Sequence, residues 1–314
     1  MKKELCLFSA PNEFIDKKLF KLKKFNFRFN EIWKKKDLKK NVKITGWIVN
    51  PGQSFKINTE ILSYFPNLRI LITPSTGTNH IDLNCCKKKK IKVFSLLDDR
   101  KNLNQIRASS EFTFLLILNS LRRLDKAINE VDNNRWRQNE NLMRGDELYG
   151  KSVGIVGLGR IGSNLSRWLK MFGAKVTYCD IKKKTTQIKK KSIDHIFLNS
   201  SIISICCSLN KYTHNLINLS KLKLLKKNAI LINTSRGEVI NEKDLIYFLR
   251  KRKDIFFSTD VLSGEINGTN LRSKLVNLHK KRRVIITPHI AGASKESQTK
   301  AAQISLNLLK KNFK

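Results

Sequence analysis

From residue 150 onward the chain alternates short, almost wholly apolar runs with stretches of helical periodicity. Residues 153–158, 175–180, 202–207, 229–235, 255–262 and 284–290 are short and rich in β-branched side chains. Runs of this kind predict strands buried on both faces, as in a parallel sheet. Between them, 161–171, 219–226 and 242–252 predict helices. In the last of these, Leu245, Ile246 and Leu249 form one apolar stripe among charged neighbours. The first hundred residues repeat the alternation more loosely, with strands expected at 5–10, 44–50, 69–75 and 92–96 and a helix at 58–65. A long helical stretch, 103–131, then bridges the halves. It is apolar through Phe112, Leu115, Leu116 and Leu118 and ends in Asp132-Asn133-Asn134, which suits a domain junction or a dimer-forming element. Residues 296–314 read as a last amphipathic helix. Strand and helix in alternation imply an α/β fold with doubly wound parallel sheets.

Composition narrows the class. At 314 residues the chain has room for two domains, and 40% hydrophobic with 28% charged residues allows a sizeable core and excludes a disordered or fibrous protein. No apolar run approaches the ~18 residues of a membrane span. Glu4, Asn12 and Glu13 interrupt any apolar leader, so no signal peptide is expected. The six cysteines include the adjacent pairs Cys85-Cys86 and Cys206-Cys207 and no C-x-x-C spacing. Neither a bound metal nor a disulfide framework is expected, and a cytoplasmic location fits.

Sixty-three basic against 25 acidic residues give a net charge of +38. That excess could serve a nucleic acid or an anionic membrane. However, the basic residues are mostly lysine and lie along the whole length, whereas nucleic-acid surfaces concentrate arginine with aromatics. The pattern fits a solvated lysine coat from an AT-rich coding sequence. Neither nucleic acid nor membrane is expected as a partner.

Gly157-Leu158-Gly159-Arg160-Ile161-Gly162 follows a predicted strand and opens a predicted helix. In that setting the first glycine permits a tight turn and the second lets a pyrophosphate approach the backbone. The third lets the helix pack close to the sheet, with its N-terminal N–H groups facing the phosphates. The next strand ends at Asp180, 18 residues past Gly162, where a carboxylate can accept hydrogen bonds from an adenosine ribose. An acid there repels a 2′-phosphate, so NAD is expected over NADP, although the lysines at 182–184 act against that preference.

Three more polar stretches stand at predicted strand ends: Asn233-Thr-Ser-Arg236-Gly237, Thr259-Asp260 through Glu265, and Thr287-Pro288-His289. With them the sequence resembles the D-isomer-specific 2-hydroxyacid dehydrogenases, a family that includes phosphoglycerate, glycerate/glyoxylate and formate dehydrogenases. The resemblance extends to Ser75-Thr-Gly-Thr-Asn-His-Ile-Asp82, Ala108-Ser-Ser-Glu111, Arg135-Trp136 and Glu147-Leu-Tyr-Gly-Lys151. Ile266 follows Glu265 where a proline is usual in the family.

The chemistry explains these residue types. A 2-keto acid offers a carboxylate, which Arg236 can grip with a planar fork of donors, and a carbonyl, which His289 can protonate. Glu265 can orient the imidazole and stabilise its charged form. The resemblance further implies that Asp260 contacts the nicotinamide carboxamide and that Ser75, Thr76 and Gly77 present backbone amides to the substrate. It also implies cofactor contacts from Ser109, Gly157, Gly159, Arg160, Ile161, Gly162, Asp180, Cys207, Ser208, Thr234, Ser235, His289 and Gly292. The expected architecture is two Rossmann-like domains with the active site in a cleft between them. Residues 1–98 with 291–314 would form the substrate domain and 99–290 the NAD-binding domain. The expected activity is hydride transfer between NAD(H) and a small D-2-hydroxy or 2-keto acid, in a homodimer. Which acid is not decided, since none of residues 73–76 before Gly77 is basic. An alternative reading comes from a transcriptional corepressor on the same fold, which binds NAD and acts through protein contacts. Arg236, Glu265 and His289 present together favour the enzyme.

Overall fold

The computed structural model describes residues 3–267, 273–280 and 284–313. Met1, Lys2 and Lys314, the last residue of the final predicted helix, lie outside them. The chain divides into two compact units, one comprising Met1–Ile106, Glu265–Thr269 and Ala293–Lys314, the other Arg107–Gly264 and Asn270–Gly292.

The first unit holds a five-stranded parallel sheet of order β2-β1-β3-β4-β5: β1 Glu4–Phe8, β2 Phe25–Phe29, β3 Ile44–Ile48, β4 Ile70–Thr73 and β5 Lys92–Ser95. Because side chains alternate across a strand, registered neighbours share a face. Leu7, Trp47 and Leu71 are in register and pack into one core. Phe8, Ile48 and Ile72 are in register on the other face, where Ala301, Ala302 and Leu309 of the final helix, Lys295–Asn312, cover them. Leu103 and Ile106 bury in that same core, so the chain leaves the unit after residue 106 rather than at 98. The sequence reading missed β2. Its Phe-Asn-Phe-Arg-Phe alternation forms an edge strand with Phe25 buried and Phe29 exposed, and Phe29 stacks edge-on with Phe20 at 4.8 Å.

The second unit carries a seven-stranded parallel sheet of order β12-β11-β10-β9-β6-β7-β8: β6 Ser152–Val156, β7 Lys175–Cys179, β8 Lys189–Lys190, β9 Ile202–Ile205, β10 Ile230–Asn233, β11 Phe256–Thr259 and β12 Val284–Ile286. From β6 the chain runs outward through β7 and β8, then returns to β9 on the opposite side. The β6–β9 boundary is therefore a topological switch point, where open parallel sheets bind ligands at their carboxyl ends. Strands expected to reach 207, 235, 262 and 290 end at 205, 233, 259 and 286, because their last residues turn out of the ladder. The long helix expected over 103–131 breaks at Arg123, which takes a left-handed φ of 52° between the helices Ala108–Arg122 and Leu124–Asp132.

Candidate active site

The glycine-rich turn lies at the switch point. Gly157 has φ 95°, and a Cβ there would stand 2.7 Å from the Cys207 backbone, just past β9. A Cβ on Gly162 would stand 2.2 Å from the Gly157 carbonyl oxygen, so the helix Arg160–Met171 packs hard against the strand it follows. Gly159 caps that helix without a side chain, and nothing lies within 4 Å of where its Cβ would be. A backbone this bare at a twelve-residue helix start is a cradle that suits a pyrophosphate.

Asp180, just past β7, is tied to the same turn. Its Oδ2 accepts from the Leu158 N–H at 2.8 Å and its Oδ1 from the Lys182 N–H at 3.0 Å. Arg160 opens the helix, and burial pushes its guanidinium below the usual value. Ile161 accepts from Ser110 Oγ through its carbonyl at 3.5 Å. Ser208 accepts from Thr213 Oγ1 at 2.6 Å. Burial raises the Cys207 thiol to about 12 and the Cys206 thiol to about 11, which favours the protonated form at neutral pH.

The loops after β10, β11 and β12 form one hydrogen-bonded assembly. Asn233 is buried. Its Oδ1 accepts from the Ser235 N–H at 3.0 Å and Oγ at 2.8 Å, and its Nδ2 donates to the Arg236 carbonyl at 3.0 Å. This side chain holds the turn that carries Arg236, whose Nη1 donates to the Ser235 carbonyl at 2.6 Å. Thr234 Oγ1 meets Thr113 Oγ1 at 2.7 Å. A Cβ on Gly237 would fall 2.2 Å from the Leu262 carbonyl carbon, so only glycine lets the loops after β10 and β11 touch here.

Asp260 joins the next two loops. Its N–H donates to the Asn233 carbonyl at 3.0 Å. Its side chain is 1% exposed and accepts three hydrogen bonds: Thr287 Oγ1 at 2.6 Å and the Ile290 N–H at 2.9 Å on Oδ1, and the Ala291 N–H at 2.7 Å on Oδ2. Burial raises its carboxyl above the usual range, and these donors work against that rise. The resemblance implies a cofactor contact for Asp260. In the structure both oxygens are hydrogen-bonded within the chain, around His289. His289 is exposed, with φ 56°. Gly292 comes next to Ser109, whose Oγ lies 3.7 Å from where a Cβ would stand.

In the second unit, then, the structure brings Gly157 to Cys207, Asp180 to the glycine turn, Asp260 to the His289 loop and Ser109 to Gly292. Ser75, Thr76, Gly77 and Glu265 belong to the first unit. Ser75 Oγ lies 2.9 Å from Thr73 Oγ1 and donates to the Gly77 carbonyl at 2.8 Å, and Glu265 opens the 3₁₀ turn Glu265–Asn267. Sequence reasoning marked the stretches that hold Asn233, Gly237 and Thr287 but gave these three residues no role. An asparagine two residues before a serine is a known turn-former, so Asn233 carried a usable signal. Thr287 carried none.

Residues 114–291 match the model of the D-isomer specific 2-hydroxyacid dehydrogenase NAD binding domain. A glyoxylate/hydroxypyruvate reductase of Arabidopsis thaliana is 30% identical over 269 residues, 82% of this chain and 77% of that protein. A glyoxylate reductase of Thermofilum pendens is 33% identical over 261 residues, 80% of this chain and 73% of that protein. Among solved structures, a D-lactate dehydrogenase of Aquifex aeolicus complexed with NAD and lactic acid superposes with TM-score 0.80 at 27% identity, covering 98% of this chain and 94% of that one.

Proposed function

From the premise that this chain belongs to the D-isomer-specific 2-hydroxyacid dehydrogenase family, and is an NAD-dependent oxidoreductase acting on CH–OH donors, we propose that it interconverts a small 2-keto acid of the glyoxylate or hydroxypyruvate class and the corresponding D-2-hydroxy acid. The observation that carries this reading is the assembly of the Arg236 and His289 loops at the carboxyl edge of the sheet that bears the glycine turn.

NAD, when bound, gives or takes the hydride. Gly157, Gly159, Arg160, Ile161 and Gly162 are assigned to its pyrophosphate, and Asp180 to its adenosine ribose. Ser109, Cys207, Ser208, Thr234, Ser235 and Gly292 are assigned to the rest of its cradle. Arg236 holds the substrate carboxylate through paired donors, which fixes the carbonyl in one orientation. Ser75, Thr76 and Gly77 are assigned to the same carboxylate through their backbone amides. His289 donates a proton to the carbonyl oxygen as that carbon is reduced, and withdraws it in the reverse direction. Glu265 is assigned as the carboxylate that orients the imidazole.

A homodimer is part of the reading. Leu124, Ile128 and Val131 are exposed at helical spacing on Leu124–Asp132, and Trp136 is 72% exposed just beyond, which supports a self-associating face.

The test is NADH and NADPH consumption with glyoxylate, hydroxypyruvate, pyruvate and oxaloacetate. The reading expects turnover with one or both of the first two and a preference for NADH. Inactivity across the panel would overturn it.

A further inference from the structure

The assigned acid/base sits in a backbone conformation that is uncommon for residues other than glycine. His289 has φ 56°, inside the left-handed region that L side chains rarely adopt. Its side chain is exposed, so burial of the imidazole does not hold it there. Backbone hydrogen bonds on either side shape the turn. The His289 N–H donates to the Thr287 carbonyl at 3.0 Å, closing a tight turn. The donors two residues before and one and two residues after His289 all converge on Asp260.

We propose that Asp260 is a positioning residue for catalysis: its buried carboxylate clamps the 287–291 segment in the left-handed turn that presents His289. The proposal rests on His289 being the acid/base. The donor set explains why a carboxylate is needed. Two of the three donors are backbone N–H groups, which cannot reverse their polarity, and they address different oxygens. An amide in this place meets at least one of them with its own N–H, so asparagine cannot reproduce the clamp. Asp260 is itself anchored through its N–H to the Asn233 carbonyl, and Asn233 also holds the Arg236 turn. One pair of buried residues thus sets both the substrate-gripping and the proton-transferring loops.

The experiment compares the parent chain with Asp260→Asn, Thr287→Val, His289→Asn and the Asp260→Asn/His289→Asn pair, reading kcat, KM for the keto acid, and NADH affinity by fluorescence. Asp260→Asn is expected to lower kcat at least 30-fold with NADH affinity changed less than three-fold. Thr287→Val removes one donor and keeps the carboxylate, and is expected to lower kcat by a smaller factor in the same direction. In the His289→Asn background, read at high enzyme concentration over hours, Asp260→Asn is expected to change the residual rate less than two-fold. Equal losses in both backgrounds, or weakened NADH binding with kcat preserved, would overturn the clamp and restore a cofactor-contacting or purely structural Asp260. Should Asp260→Asn not bind NADH at all, Thr287→Val decides: a lowered kcat there supports the clamp and an unchanged kcat overturns it. Failure of the underlying reading looks different: His289→Asn alone would keep the parent kcat.

Discussion

The roles proposed for Arg236 and Asp180 each make a prediction at the scale of one side chain. Arg236 stands on a turn held by Asn233, with one guanidinium nitrogen bonded to the Ser235 carbonyl, which restrains the side chain. Arg236→Lys keeps the charge and loses the planar fork. It is expected to cost about 2–4 kcal/mol in kcat/KM, the range for breaking a desolvated charge pair, with NADH affinity unaltered. Steady-state kinetics beside NADH titration check this, and a parent-like kcat/KM would remove Arg236 from the site. Asp180 accepts from Leu158 and Lys182 and places negative charge at the edge of the glycine turn. Asp180→Ser is expected to shift preference from NADH toward NADPH, since the lysines at 182–184 then face a 2′-phosphate without an opposing carboxylate. If the unmutated chain already binds NADPH more tightly than NADH, those lysines dominate.

At the scale of elements, the strands were legible and their ends were not. The runs at 202–207, 229–235, 255–262 and 284–290 were readable because strands buried on both faces are apolar throughout. At 202–207 and 229–235 the last residues are apolar or small too, so nothing in the pattern there marks where the ladder stops and the loops begin. Arg236 and His289 could be picked out because a cation and an imidazole are out of place after such runs. The clamp could not be read, because Asp260 and its partners are 27 to 31 residues apart and meet only through parallel pairing of β11 with β12. The break at Arg123 was equally hidden, since its neighbours favour helix on both sides. Beyond it, Glu130 on the helix Leu124–Asp132 accepts from Arg135 Nε at 2.7 Å and Nη2 at 2.8 Å, and from Asn139 at 2.6 Å. Those bonds, first from Arg135 and then from Asn139, lower its carboxyl from 4.5 to about 2. A depressed carboxyl stabilises the fold above its unfolded value, and that contribution fades as pH falls from 4.5 toward 2. The gap in Tm between the parent and Glu130→Gln is therefore expected to be widest above pH 5 and to narrow steadily below it. A gap independent of pH would contradict the assignment.

At the scale of the whole molecule, self-association and turnover can be tested separately. If the exposed Leu124, Ile128 and Val131 face a second copy, Ile128→Glu is expected to convert a dimer into a monomer in sedimentation. A parent that sediments as a monomer would remove the dimer from the account and leave the chemistry untouched. The net charge of +38 enters neither test. The measurement that bears most directly on the central claim is the product of hydroxypyruvate reduction by the purified chain with NADH. Stoichiometric oxidation of NADH with formation of the D-hydroxy acid is the predicted result. Formation of the L-isomer, or no NADH oxidation with hydroxypyruvate or glyoxylate, would contradict it.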